Sequence, residues 1–134
     1  MGEIILSARK IQKSYINGHD RLYVLNDLSL NVKKSEIITL MGQSGSGKST
    51  ALNILGTLDT PDTGSVEIDG LDIINLNDDE LSRLRNQDIG FVFQFHHLLP
   101  EFSAIENVLI PTWINNKNSM KEHALYLFES LGLY

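Results

Sequence analysis

The chemistry in this chain is densest in eight residues, Gly42-Gln43-Ser44-Gly45-Ser46-Gly47-Lys48-Ser49. They fit G-x-x-x-x-G-K-[ST], a spacing that cradles phosphate. Glycines at 42, 45 and 47 let the backbone take positive φ and approach an anion closely. The N–H groups of the loop, those of Gln43, Ser44 and Ser46 included, can then turn inward as an anion-binding nest. A helix starting near Lys48 adds unpaired N–H groups and the positive end of its dipole. Lys48 can reach β- and γ-phosphates, Thr50 can offer a hydroxyl to an α-phosphate, and the Ser49 hydroxyl suits Mg²⁺, a hard cation that takes oxygen ligands. Together these residues point to a nucleoside triphosphate with Mg²⁺, the chemistry shared by many otherwise different enzymes.

Such a loop works only between a strand and a helix, and the flanking sequence supplies both patterns. Glu36 to Met41 is an apolar run that predicts a strand. Lys48 to Leu55 predicts a helix, with Gly56 as its C-cap. Upstream, Glu3 to Ile11 predicts a strand with Ile5 and Ile11 facing in. Asn17 to Asp20 predicts a turn, and Arg21 to Val32 predicts one or two strands with Leu28, Leu30 and Val32 on one face. Downstream, Asp59 to Gly64 is rich in turn residues and Ser65 to Asp69 is a short strand. A second helix, capped by Asn77 or Asp78, shows Leu81 and Leu84 on one face. Its acidic start, Asp78-Asp79-Glu80, reads as a helix N-terminus facing solvent rather than a catalytic pair, and Arg83 and Arg85 near its end suit the dipole. Ile89 to Phe93 is a continuous apolar run, the pattern of a buried strand that ends at Gln94. Ser103 and Glu106 form a capping box, so a helix is expected from there to Pro111. Asn115 to Asn118 reads as a loop, and Ser119 as the cap of a last helix, Met120 to Leu131, ended by Gly132.

Bulk properties narrow the field. With 134 residues the chain is one domain or part of one. A formal charge of −6 argues against holding nucleic acid through bulk charge. There is no cysteine, so disulfides and thiolate metal sites are excluded. No apolar run reaches the roughly 18 residues of a membrane span. The first ten residues lack the basic-then-apolar order of a signal peptide. His96 and His97 are adjacent and would point opposite ways in a strand, and no carboxylate or cysteine is spaced to complete a zinc site with them.

Read together, Tyr15, the loop at 42–49, the segment TPDTGSVEIDG (60–70) and Gln94 at the end of an apolar run resemble the nucleotide-binding domain of ABC transporters. Within that family, LNILGTLDTPDTG (52–64), LRNQDIGFVFQFHHLLPEFSAIENV (84–108) and Ile110-Pro111 look most like the ATP-binding subunits of lipoprotein-releasing transporters. Subunits of macrolide or peptide exporters and of cell-division systems share part of the pattern. The resemblance implies an α/β fold: a P-loop core with an N-terminal antiparallel β-subdomain over residues 1–94, then the start of a helical subdomain over 95–134. It implies ATP and Mg²⁺ as ligands, with Tyr15 stacking on adenine; an ordinary strand-end tyrosine and a platform at Tyr23 are the competing readings. Gln94 would join Ser49 at the metal and sense the γ-phosphate. Phe95, Leu98, Leu99, Pro100 and Phe102 would form a groove for two integral membrane permease subunits. A second ATP-binding subunit would close the site, on the cytoplasmic face of the inner membrane.

The family's LSGGQ-type signature, its metal-supporting Asp, its catalytic Glu and its switch His do not occur in these 134 residues. The sequence therefore reads as the N-terminal part of such a domain, binding ATP without efficient turnover, or as a non-catalytic nucleotide-binding fragment. A sheet lacking its later strands would leave a bare apolar edge, from which marginal stability or self-association is expected.

Overall fold

The computed structural model describes residues 2–115 and 120–133. Two compact units are present, Met1–Arg85 and Asn86–Tyr134.

In the first unit a four-stranded antiparallel sheet runs in the order β2-β1-β3-β4. Its strands are β1 (Ile4–Asn17), β2 (Asp20–Lys33), β3 (Thr63–Ile68) and β4 (Leu71–Asp72). Strands β1 and β2 make one long hairpin in which Asn17 faces Asp20 across a two-residue turn. Gly18 takes φ 65 there, the positive φ that tight hairpins ask of their first central residue. Lys10 sits at a β-bulge with φ 51; its N–H, lost to the ladder, is taken up by Ser29 Oγ at 2.9 Å. The bulge bends β1 onto β3, where Gly64 lies so close that a Cβ would meet the Arg9 and Lys10 carbonyl oxygens at 2.5 Å.

Helix α1 (Lys48–Leu55) buries Ala51 and Ile54, three residues apart on one face. They share a core with Ala8, Ile11, Leu25, Val66 and Ile68. A 3₁₀ turn, Ile73–Asn75, adds buried Ile73. Helix α2 (Asp78–Gln87) adds buried Leu84. Its start is a capping box: Asn77 Oδ1 accepts from the Glu80 N–H at 3.0 Å, and Glu80 accepts from the Asn77 N–H at 2.9 Å. Asn77, rather than Asp78, is thus the cap. Arg85 donates to the Thr57 carbonyl at 2.8 Å, tying the end of α2 to the turn after α1.

In the second unit, helix α3 (Ala104–Ile114) and helix α4 (Lys121–Ser130) pack together, with Ala124 buried. The Ser103–Glu106 capping box forms as expected. Helix α3 does not stop at Pro111, however. The proline falls in the last turn, where it removes one hydrogen bond to the Asn107 carbonyl, and Thr112 Oγ1 donates to the neighbouring Leu109 carbonyl at 2.7 Å. The loop expected at Asn115 to Asn118 falls, from Asn116 on, outside the described residues, as does the Ser119 cap.

Two expected strands are absent. Residues 36–41 and 89–93 form no ladder. Ile37 is 94% exposed, Met41 89%, and Val92 wholly exposed. A strand exists only through its neighbours, and among the described residues no strand lies beside either run. Phe91 and Phe93, two residues apart, instead stack on each other with centroids 5.5 Å apart, and His97 meets Phe93 edge-on.

Candidate functional site

The loop at 42–49 enters α1 through Gly47, which caps the helix with φ 88, ψ 6. The first full helical bond is donated by Ala51 to the Gly47 carbonyl at 2.8 Å. The N–H groups of Lys48, Ser49 and Thr50 thus precede the helical ladder and remain available to a ligand. Gly47 is pressed against β2: a Cβ there would meet the Val24 carbonyl oxygen at 2.8 Å and Leu25 Cδ2 at 2.9 Å. Gly45, with φ 80, has open space around it. Glycine is required at 47 by conformation and by contact, and at 45 by conformation alone.

Around this turn lies a cleft of about 460 Å³ lined by Val24, Ser44, Gly45, Gly47, Lys48, Ser49 and Thr50. Lys48 arches over the loop. Its Nζ donates to the Gly42 carbonyl at 2.9 Å, to the Gln43 carbonyl and to Ser46 Oγ at 3.2 Å. The cleft lining thus combines one cationic residue, Lys48, the hydroxyl residues Ser44, Ser49 and Thr50, and a helix N-terminus, a set matched to a polyanion. Its lining includes no carboxylate.

Tyr15 stands on β1 opposite Leu22 and is 42% exposed as a residue. It is not among the cleft-lining residues, but the same unit holds it firmly. Its hydroxyl donates to Asp59 Oδ2 at 2.8 Å, and the Lys13 ammonium lies 5.2 Å from the ring centroid. Lys13 Nζ donates to Asp59 Oδ1 at 2.7 Å and to the Thr60 carbonyl at 2.6 Å. Burial pushes the Asp59 carboxyl up, but hydrogen bonds from Lys13, Tyr15 and the Thr60 N–H outweigh it and leave the group below its ordinary value. The hydrogen bond to Asp59 holds the Lys13 ammonium above its own. Beside them Ser14 donates through N–H and hydroxyl to Asp62 Oδ2, at 2.8 and 2.6 Å, which lowers that carboxyl too. No local motif marks Lys13, Asp59 or Asp62. The alternation along β1 and the turn residues of 59–64 were visible, but not that the two meet. Tyr23, across the ladder from Ser14, is exposed.

Gln94 belongs to the second unit, in an irregular segment, and the cleft of the first unit is built without it. In that second unit Phe95, Leu98, Leu99, Pro100 and Phe102 are all exposed. Their turn is shaped by Asn107, another residue that no local motif marks. Its Nδ2 donates to the carbonyls of Leu99, Phe102 and Ser103, each at 3.0 Å, and its Oδ1 accepts from the Leu99 N–H at 2.9 Å. Phe102 meets Trp113 edge-on at 6.1 Å.

Comparison with known proteins agrees with this architecture. The family model described as ABC transporter matches residues 25–134. The lipoprotein-releasing system ATP-binding protein LolD of Bdellovibrio bacteriovorus is 48% identical over 130 residues, which cover 96% of this chain and 59% of that protein. LolD of Shewanella frigidimarina is 44% identical over 133 residues, 98% of this chain and 56% of the relative. Among solved structures, the dimeric post-hydrolysis state of the ATP-binding cassette MJ0796 bound to ADP and Pi superposes with a TM-score of 0.85 at 40% identity. It covers 92% of this chain, which in turn covers 56% of it. The chain thus spans somewhat under three fifths of the length of these relatives. With the glycine-bounded loop, the helix it opens and the antiparallel sheet beside it, the chain belongs to the ABC transporter family.

Proposed function

We propose that these residues form the nucleotide-binding part of an ATPase subunit that powers lipoprotein release from the inner membrane. The observation that carries the reading is the cleft of about 460 Å³ at the start of α1, lined by Lys48, by the hydroxyl residues Ser44, Ser49 and Thr50 and by the first turn of the helix. ATP is the ligand. Its phosphates lie along residues 42–50, held by the loop and helix amides and by Lys48, which exchanges its bonds to the Gly42 and Gln43 carbonyls for phosphate oxygens. Tyr15 offers its exposed ring to the base. Identity to the lipoprotein-releasing subunits across almost the whole chain supports the choice of cargo.

Mg²⁺ fits the donor set, since Ser49, a hydroxyl residue, lines the cleft and hard cations prefer oxygen. Ser49 would hold it, and it would neutralise phosphate charge. In this reading the two units divide the work. The first, which carries the loop, handles the nucleotide. The segment beyond, with Phe95, Leu98, Leu99, Pro100 and Phe102 exposed on the Asn107-braced turn, receives a helix of each of two membrane permease subunits. A second ATP-binding subunit closes the site, on the cytoplasmic face of the membrane. No helix among the described residues is long and apolar enough to cross a membrane itself.

Isothermal titration of the chain with Mg·ATP tests this, beside Lys48→Ala and a titration in chelator. Lys48→Ala should weaken binding by about tenfold or more, since it deletes the only charged group in the cleft. Chelator should weaken it as well. Equal affinity of the chain and Lys48→Ala for ATP would overturn the assignment.

A further inference from the structure

We infer that Asp59 is a positioning residue for nucleobase recognition: through the Tyr15 hydroxyl it fixes the ring of Tyr15 at a set place relative to the phosphate loop. The inference rests on the reading of Tyr15 as the base platform and extends it to a group outside both the loop and the ring.

The geometry runs through one continuous body. Asp59 follows α1 by four residues, and the Asn53 carbonyl within α1 accepts from the N–H groups of both Leu58 and Asp59, at 2.8 and 3.2 Å. The backbone of Asp59 is therefore anchored to the helix whose other end forms the phosphate cradle. Its carboxylate is fully committed: Oδ1 accepts from Lys13 Nζ and from the Thr60 N–H, both at 2.7 Å, and Oδ2 accepts from the Tyr15 hydroxyl at 2.8 Å. The Lys13 side chain is only 10% exposed, so its ammonium is locked in place and occupies one side of the Tyr15 ring. With the hydroxyl tethered and one face taken by a cation, the ring has a single orientation and one face left for stacking. The neighbouring bonds from Ser14 to Asp62, and from the Asp62 N–H to the Gln12 carbonyl at 2.8 Å, hold the backbone under it. A platform of this kind fixes the span between base and phosphates, because both ends hang from α1. Stacking alone accepts any base face; a fixed span and orientation cut the entropy lost when a nucleotide binds.

A clamp that merely stabilised the unit would affect all ligands of the loop alike, so the experiment compares two. Affinities for Mg·ATP and for Mg·tripolyphosphate, which has no base, are measured by calorimetry for the chain, Tyr15→Ala, Tyr15→Phe, Asp59→Ala and the Tyr15→Phe/Asp59→Ala double variant. Tyr15→Phe keeps the aromatic face and the Lys13–Asp59 pair while deleting the tether, so it answers even where Asp59→Ala folds poorly. Expected is a loss of about tenfold for ATP in Tyr15→Ala. Tyr15→Phe and Asp59→Ala should each lose about three- to tenfold for ATP. The double variant should be no weaker than the weaker single, and tripolyphosphate affinity should hold within about twofold throughout. If Tyr15→Ala leaves ATP affinity intact, the base-platform reading falls and this inference with it. If Tyr15→Ala weakens ATP binding but Tyr15→Phe does not, the platform stands and the tether is refuted. Equal losses for both ligands in Asp59→Ala, or additive losses in the double variant, would also refute it.

Discussion

Alanine placed in turn at Gly42, Gly45 and Gly47 separates three demands that the phosphate loop makes on its backbone. At Gly42 φ is not positive, and a Cβ would crowd Ser46 Oγ, at 2.7 Å, the far end of a side chain that can rotate away, while Ser46 Cβ at 3.5 Å and Lys48 Cδ at 4.0 Å are ordinary contacts. The cost should stay within about 0.5 kcal/mol. At Gly45 φ is 80 with nothing within 4 Å, so alanine incurs only the left-handed backbone penalty, about 1–2 kcal/mol. At Gly47 the same penalty applies at φ 88, and the Cβ also runs into the Val24 carbonyl at 2.8 Å and Leu25 Cδ2 at 2.9 Å. Val24 and Leu25 are in β2, held by the ladder to β1, so the obstacle is backbone and cannot swing aside. Overpacking of that kind adds about 1–3 kcal/mol, which brings Gly47→Ala to about 2–5 kcal/mol. Urea melts of the four proteins should rank the chain and Gly42→Ala together, Gly45→Ala lower and Gly47→Ala lowest, the last by about 1–3 M in midpoint. ATP affinity should fall in the same order, because lifting residue 47 off β2 splays the first turn of α1. A Gly47→Ala variant no less stable than Gly45→Ala would show that the loop does not rest on β2.

The clamp between β1 and the 59–62 turn should show its charges in acid and in strong base. Asp59 is held below its ordinary 3.8, so its contribution is complete above that value and lost as pH falls through the lower folded value; Lys13 is held above 10.5, so its contribution is complete below that value and lost as pH rises through the higher folded one. The melting temperatures of the chain and of Asp59→Ala should therefore differ by a constant amount across neutral pH and converge at both extremes, and a gap that peaked or vanished near pH 7 would contradict this. Asn107→Ala removes the four hydrogen bonds that shape the 99–103 turn, and should cost the second unit about 2–3 kcal/mol while leaving ATP affinity unchanged; hydrogen exchange at the N–H groups of residues 99–107 that stayed as slow as in the parent chain would refute it. The apolar, unladdered residues of 36–41 and 89–93 should drive concentration-dependent self-association, visible as a rising sedimentation coefficient, whereas a monomer at all concentrations would count against it.

What the sequence disclosed, and what it withheld, follows from the range of the interactions involved. Helix α1 could be bounded closely because its signals are local: a glycine before Lys48, helix formers after it, and Gly56 as the stop. The Ser103–Glu106 capping box is legible for the same reason, since its bonds join residues three apart, whereas at α2 the sequence leaves the cap open between Asn77 and Asp78. The hairpin of β1 and β2 is legible from its turn and its alternation, though the bulge at Lys10 is not, because it is set by Ser29 and Gly64 far along the chain. Runs 36–41 and 89–93 show the limit most sharply. Their composition is that of buried strands, yet composition states only what a segment needs for its neighbours, and whether those neighbours exist is decided elsewhere in the chain. The Lys13–Tyr15–Asp59 cluster is the converse case. Nothing local marks Asp59 as more than a turn residue, and its role emerges only because the bulged β1 and the end of α1 bring residues 44 to 46 positions apart to within a hydrogen bond. The phosphate cradle was therefore readable because it is a contiguous loop, whereas any platform for the base depends on tertiary contacts and had to be seen.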